Sequence, residues 1–206
     1  MYTIKAENLG KAWLQSMKLA IQEGEDIYDD DRKLKEIRNL YVSLDDVNEE
    51  DPILNKYADK KRIQLMKEKY STCGLVGDYK IDYGSYIYNN NGINQMEWLK
   101  NRILNKPETK SATITLHRPG EDMLACLSLI DFKLRNDRLH MTVVYRSQNI
   151  FSSQPGNMIA LQHIQEDLAK DISSAVGKIE LVVMSAHVYE ENYEEAINIL
   201  KKESLM

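Results

Sequence analysis

The run Met123-Leu124-Ala125-Cys126-Leu127-Ser128-Leu129-Ile130-Asp131-Phe132 is followed one hairpin later by Tyr145-Arg146-Ser147-Gln148-Asn149-Ile150-Phe151-Ser152-Ser153-Gln154-Pro155-Gly156-Asn157. Residues 124–134 and 139–145 are apolar-rich and are joined by Arg135-Asn136-Asp137-Arg138, polar residues of the kind that close a tight hairpin. The two segments are expected to pair as antiparallel strands. Pairing across that turn brings Tyr145 and Arg146, at the end of the second strand, back towards Cys126 near the start of the first. A thiol is a weak nucleophile until its thiolate is stabilised, and a guanidinium in the next strand is one standard way to stabilise it. The same spacing also fits a buried strand cysteine beside a surface arginine, because free cysteine is among the most buried residue types.

With 206 residues, 43% of them hydrophobic, the chain is long enough for one well-buried domain and too short for two large ones, so a single domain over 1–206 is expected. The 27 basic and 32 acidic residues give a net charge of -5, which leaves no general electrostatic footprint for nucleic acid or an anionic membrane. There are two cysteines, Cys73 and Cys126, no apolar run at the start, and no apolar stretch of the length that crosses a bilayer. The expectation is a reducing, cytoplasmic protein with no membrane partner. His117, His140 and His163 have no context that marks them as ligands, and no metal spacing is present.

Along the chain, Leu9, Trp13, Met17, Ala20 and Ile21 recur at helical spacing over about 7–23, and Gly24 follows as a stop. A charged loop, Asp29-Asp30-Asp31-Arg32, leads into a strand at 34–44 in which Leu40, Val42 and Leu44 alternate. An acidic turn over 45–52 ends in Pro52, and 53–70 reads as one very polar helix with a thin stripe of Ile53, Tyr57, Ile63 and Met66. The turn Asn89-Asn90-Asn91-Gly92 precedes a helix over 93–104 with Met96, Leu99 and Ile103 inward, ended by Pro107. A further helix is expected over 157–170, with Ile159 or Ala160, Leu161, Ile164 and Leu168 inward. Gly177 then breaks the chain before an apolar strand at 179–184, which delivers Ser185-Ala186-His187-Val188-Tyr189 at its end.

The string Arg146-Ser147-x-x-x-Phe151-x-x-x-Pro155-x-Asn157, the cysteine strand before it and Ala186-His187-Val188-Tyr189 after it resemble thymidylate synthase and its pyrimidine hydroxymethylase relatives. The resemblance covers most of the chain and is weak at residues 40–80. It implies an α/β fold: one large mixed sheet covered on one face by the helices at 7–23, 93–104 and 157–170, with a second copy against the other face as a homodimer. It implies a covalent adduct between Cys126 and C6 of a pyrimidine nucleotide, with methylenetetrahydrofolate or a related pterin as one-carbon donor and no metal. It assigns Arg146, Ser147 and Arg32 to the phosphate, Asn157 to the base edge, and His187 and Tyr189 to the sugar. Tyr83, in Tyr83-Gly84-Ser85-Tyr86, is expected to face the cysteine.

Several positions depart from the family pattern. Lys110-Ser111 stands where the family carries two arginines that reach the partner's phosphate, so one cation, Lys110, remains. Asn149 replaces an aspartate near the pterin, and Ala125 replaces the proline before the cysteine. The family's glutamate has no clear counterpart; Glu49 and Glu50 are candidates by position only. The substitution at Asn149 and the ending one short helix after Tyr189 favour water over hydride as the final reactant, hence 5-hydroxymethylation of CMP or dCMP, with a short-form thymidylate synthase acting on dUMP as the alternative. A catalytically silent nucleotide-binding homologue is the third reading. Asn157 carries both a donor and an acceptor, so it can face uracil or cytosine by flipping its amide.

Overall fold

The computed structural model describes residues 1–45, 47, 50–118 and 120–206. Among them the strands form one seven-stranded mixed sheet. Its elements are β1 (Tyr2–Ala6), β2 (Glu25–Asp29), β3 (Arg32–Leu44), β4 (Thr113–Thr115), β5 (Leu127–Arg135), β6 (Arg138–Asn149) and β7 (Ala175–Tyr189). They lie in the order β1-β3-β7-β6-β5-β4, with β2 folded back on the start of β3. The β5–β6 pair is the expected hairpin. Its two turn residues, Asn136 and Asp137, both adopt left-handed backbone (φ 51° and 57°), the conformation that a two-residue turn matching strand twist requires and that Asn and Asp tolerate.

Helix α1 (Leu9–Glu23) starts where Asn8 accepts a hydrogen bond from the Lys11 N–H at 3.0 Å, and it buries Leu9, Trp13, Met17 and Ala20. Helix α5 (Gln95–Asn105) buries Leu99 and Ile103, and α6 (Gln154–Asp171) is buried over most of its length. On β6 the residues Leu139, Met141, Val143 and Tyr145 are fully buried, while His140, Thr142 and Val144 between them are only half-buried. Such alternation is that of a strand with one face on the core.

Three expectations need correction. The single polar helix over 53–70 is two helices, α2 (Pro52–Tyr57) and α3 (Lys60–Ser71), because Asp59 caps the second by accepting from the N–H groups of Lys61 and Arg62. Gly177 does not break the chain. It lies inside β7, where an added Cβ would come 2.8 Å from Nδ1 of His140, beside the register shift between Leu139 and Met141. Residues 2–6, read as no element, pair parallel to β3 from Tyr2↔Leu40 to Ala6↔Leu44. A five-residue edge strand carries too short a pattern to be recognised alone.

Candidate active site

Strand register gathers the site at one end of the sheet. Across β3 and β7, Leu34 lies opposite Tyr189 and Glu36 opposite His187; across β7 and β6, Ser147 lies opposite Ser185 and Asn149 opposite His187. α3 closes over these strand ends, seated on the first turn of α6 at Gly156, where a Cβ would approach the Met66 side chain to 2.8 Å and the Ile63 Cα to 3.1 Å. Helix α4 (Gly84–Tyr88) is pressed as closely on Thr72, the C-cap that follows α3, since a Cβ on Gly84 would stand 2.2 Å from the Thr72 carbonyl oxygen. Between these elements lies a cavity of about 980 Å³. Cys126, Arg146, Ser147, Asn149, Asn157, Tyr83, Arg32, His187 and Tyr189 all line it.

Cys126 is half-buried and immediately precedes β5. Arg146 holds it in place. Its backbone N–H donates to the Cys126 carbonyl (2.9 Å), Nε donates to the Ala125 carbonyl (3.1 Å) and Nη2 to the Leu124 carbonyl (2.8 Å). Nη2 also stands 3.9 Å from the Cys126 Sγ. One guanidinium therefore both fastens the backbone ahead of Cys126 and turns an N–H towards its sulfur. Nη1 lies 3.4 Å from the Ser147 hydroxyl.

Tyr83 is buried, and its ring meets that of Tyr70 edge-on at 4.9 Å. Burial pushes its phenol well up, and the neighbouring Cys126 thiol, within hydrogen-bonding reach, adds to the effect, so it stays protonated at neutral pH. Beside it stands Lys69, 7% exposed, with Nζ 4.1 Å from the ring centres of both Tyr79 and Tyr83. Burial lowers the Lys69 ammonium to about 8, although the nearby Cys126 pulls it upward. Asn157, in the first turn of α6, accepts at Oδ1 from the Tyr70 hydroxyl at 3.3 Å, and the Tyr70 hydroxyl lies 2.5 Å from that of Tyr145.

The rest of the cavity holds a second arginine, Arg32, and an apolar wall. Arg32 stacks over the Tyr189 ring at 3.5 Å and is ion-paired with Glu191. His187 is lowered by burial and stays neutral, its ring edge-on to Tyr189 at 5.0 Å. Trp13 donates from Nε1 to the Ile150 carbonyl (2.9 Å) and lies 6.2 Å from the Phe151 ring; with Tyr57, Ile63 and Met66 it makes an apolar stretch suited to a flat aromatic ring. Asn149 uses Oδ1 to accept from the Ser152 N–H (3.1 Å), which leaves its amide nitrogen for a ligand.

Some expected residues lie elsewhere. Lys110 is exposed in the loop before the edge strand β4, outside the cavity of its own chain, and Glu50 is exposed and outside it as well. Glu49 falls outside the described residues. Among the described residues there is no cluster of His, Cys, Asp or Glu able to hold a metal ion, and no helix is long and apolar enough to cross a membrane. Sequence reasoning missed Lys69, Tyr70 and the inward phenol of Tyr145. A lysine beside an apolar stripe on a polar helix gives the same pattern whether its amine is buried or extends to solvent.

A half-buried cysteine held by an arginine, with a second arginine and a buried amide in the same cavity, is an arrangement suited to nucleophilic chemistry on an anionic ligand. Residues 15–205 match the family model described as thymidylate synthase, and the chain belongs to that family. It is 26% identical over 204 residues to a protein of Methanosarcina mazei named "Putative thymidylate synthase", covering 96% of this chain and 94% of that one. A protein of the same name from Methanothermobacter thermautotrophicus is 27% identical over 219 residues, covering 97% and 99%. The family transfers a one-carbon unit to a pyrimidine nucleotide, with methylenetetrahydrofolate as co-substrate.

Proposed function

We propose that this protein is a thymidylate synthase that methylates C5 of a pyrimidine nucleoside monophosphate through an adduct between Cys126 Sγ and C6 of the ring. The observation that carries the reading is the placement of Sγ in the cavity, 3.9 Å from Arg146 Nη2 and in company with Tyr83 and Asn157. The hydroxymethyl outcome expected from the sequence finds no support among the relatives. Chains named for the methylating reaction are covered over 94% and 99% of their own length, so comparable length does not mark hydroxymethylation.

In this reading the Cys126 thiolate forms a bond to C6 and the electron pair displaced from the 5,6 double bond moves towards C5 and the carbonyl at C4. Asn157 faces that edge of the ring and stabilises the charge developing on it. Tyr83 and Lys69 are proton-bearing groups that line the cavity with Cys126, placed to hold or move a proton as C5 changes substitution. Arg32 and Nη1 of Arg146, with Ser147, hold the phosphate; Arg32 must exchange Glu191 for it. His187, neutral, and Tyr189 face the sugar. The apolar wall formed by Trp13, Phe151, Ile63 and Met66, with Asn149 at its side, suits the pterin of methylenetetrahydrofolate, which supplies the carbon and, in the methylating branch, a hydride. The cavity is at the upper end of the usual range for ligand pockets, in keeping with two ligands at once.

A homodimer belongs to the same proposal. The half-exposed residues Leu129, Val144, Val182 and Met184 lie on the strand face turned away from the buried side chains, and Lys110 would serve the partner's phosphate across that interface. The test is incubation with dUMP, dCMP, UMP and CMP, each with methylenetetrahydrofolate, followed by the product mass. A methyl group added to one of them is expected. An added hydroxymethyl group would replace the methylating reading, and no product with any of the four would sink it.

A further inference from the structure

The polar groups behind Asn157 form a short relay whose proton direction is determined by burial. Tyr145 projects from β6 under the helices, Tyr70 descends from the end of α3, and Asn157 sits in the first turn of α6. Their side chains are connected at 2.5 Å, hydroxyl to hydroxyl, and at 3.3 Å, Tyr70 hydroxyl to Asn157 Oδ1. All three are nearly inaccessible: Tyr145 is 0%, Tyr70 1% and Asn157 5% exposed.

A phenol has one proton to give. Among the described residues the Tyr145 hydroxyl has Tyr70 as its hydrogen-bond partner. If Tyr70 donated to Tyr145, the Tyr145 proton would be left buried without an acceptor, which costs the full desolvation of that donor. The satisfied arrangement runs one way: Tyr145 donates to Tyr70, and Tyr70 donates to Asn157 Oδ1. That fixes the amide. Its oxygen faces the relay and its nitrogen, which no group among the described residues accepts from, is left for the cavity that Asn157 lines. Burial raises both phenols far above neutral pH, so neither loses its proton and the direction does not reverse.

We infer that Tyr70 is a positioning residue that selects the base, locking Asn157 as a donor and thereby choosing a ring with a carbonyl at C4, a uracil nucleotide, while Tyr145 occupies its acceptor side. Cytosine presents an amino group at C4 and an acceptor at N3. It would set donor against Asn157 Nδ2 and lone pair against Oδ1. Uracil presents the C4 carbonyl to Nδ2 and its N3–H to the second lone pair of Oδ1. The amide that the sequence leaves free to flip is therefore not free in the fold. This inference rests on the proposed pyrimidine-nucleotide reading of the cavity.

The test is equilibrium binding of dUMP and dCMP, and of UMP and CMP, to the intact protein and to Tyr70→Phe, Tyr145→Phe and the double variant. Wild type is expected to prefer uracil by at least about 100-fold in Kd, the range of a specific hydrogen-bonding mismatch. Tyr145→Phe keeps that preference, because Tyr70 still has one proton and one acceptor for it. In Tyr70→Phe the ratio of the two Kd values should fall at least about tenfold, since the amide can then turn either way. The double variant should match Tyr70→Phe in base preference, while regaining any stability that Tyr70→Phe loses through the orphaned Tyr145 proton. A merely structural role would move affinity for both bases alike and leave the ratio unchanged; an unchanged ratio in Tyr70→Phe overturns the inference. Preference of wild type for cytosine overturns it too while leaving the pyrimidine reading intact. Binding of none of the four removes that reading, and this inference with it.

Discussion

Replacing Lys69 by methionine should make the ligand-free protein more stable, and the size of the effect follows from where the amine sits. Its ammonium is 7% exposed and lowered from 10.5 to about 8, chiefly by burial. At pH 7 the folded protein therefore still carries the charge, at a cost relative to the unfolded chain of ~3 kcal/mol for a shift of this size. Contacts of Nζ with the Tyr79 and Tyr83 rings, both at 4.1 Å, offset part of this by about 0.5–2 kcal/mol. Methionine fills similar space without the charge, so the variant should gain ~1–3 kcal/mol, a rise of roughly 2–4 °C in Tm for each kcal/mol in a chain of this size. The sign with pH is fixed. Between about 8 and 10.5 the unfolded chain binds more protons at this site than the folded one, so wild-type stability contributed by Lys69 rises with pH through that window. Below 8 the penalty is present in full. Urea unfolding of both proteins at several pH values from 7 to 10.5 should show a gap in favour of Lys69→Met that closes as pH rises. A variant less stable at pH 7, or a gap constant with pH, would refute the account of Lys69 as a strained buried charge. A charge held at that cost in the wall of the cavity fits a role there, and the same variant should lose roughly 10–100-fold in kcat/KM.

Cys126→Ser should abolish turnover and leave dUMP affinity within a few fold, measured by calorimetry beside a product assay; surviving turnover would remove the covalent mechanism. Glu191→Gln should tighten nucleotide monophosphate binding several fold by releasing Arg32, while leaving the affinity of the unphosphorylated nucleoside unchanged. Equal effects on both would mean that Arg32 does not meet the phosphate. Gly156→Ala should destabilise by ~1–3 kcal/mol and weaken nucleotide binding as well, because its Cβ would push on Met66 and the Ile63 backbone and move Tyr70 away from Asn157. Unaltered unfolding in urea would show that α3 can give way there without cost.

The hairpin could be read from the chain because each of its causes is local: two apolar runs and an Asn136-Asp137 turn that accepts left-handed backbone. From that hairpin follows the closeness of Arg146 to Cys126. The helix α1 and the strand β3 were equally legible from their periodicities, and the motifs around Ser147, Asn157, His187 and Tyr189 were visible as strings, which is why the family could be identified from sequence. What each of those residues does next to its neighbours was not in the string. That Arg146 spends two of its N–H groups on the carbonyls of Leu124 and Ala125 depends on a strand register. That Arg32 is held by Glu191 joins two residues 159 positions apart. Lys69 and Tyr70 read only as members of a polar helix until the close approach at Gly156 seats that helix on α6. Tyr145 alternates inward like any core strand residue, and nothing in its neighbours says that its hydroxyl will meet another phenol. Local propensity and periodicity determined most of the elements and the pairing that sets Arg146 beside Cys126, and the resemblance assigned the thiol its role. Burial, a property of the assembled fold, decided the proton direction behind Asn157 and the strain on Lys69, because the cost of an unpaired donor or charge exists only once water has been excluded.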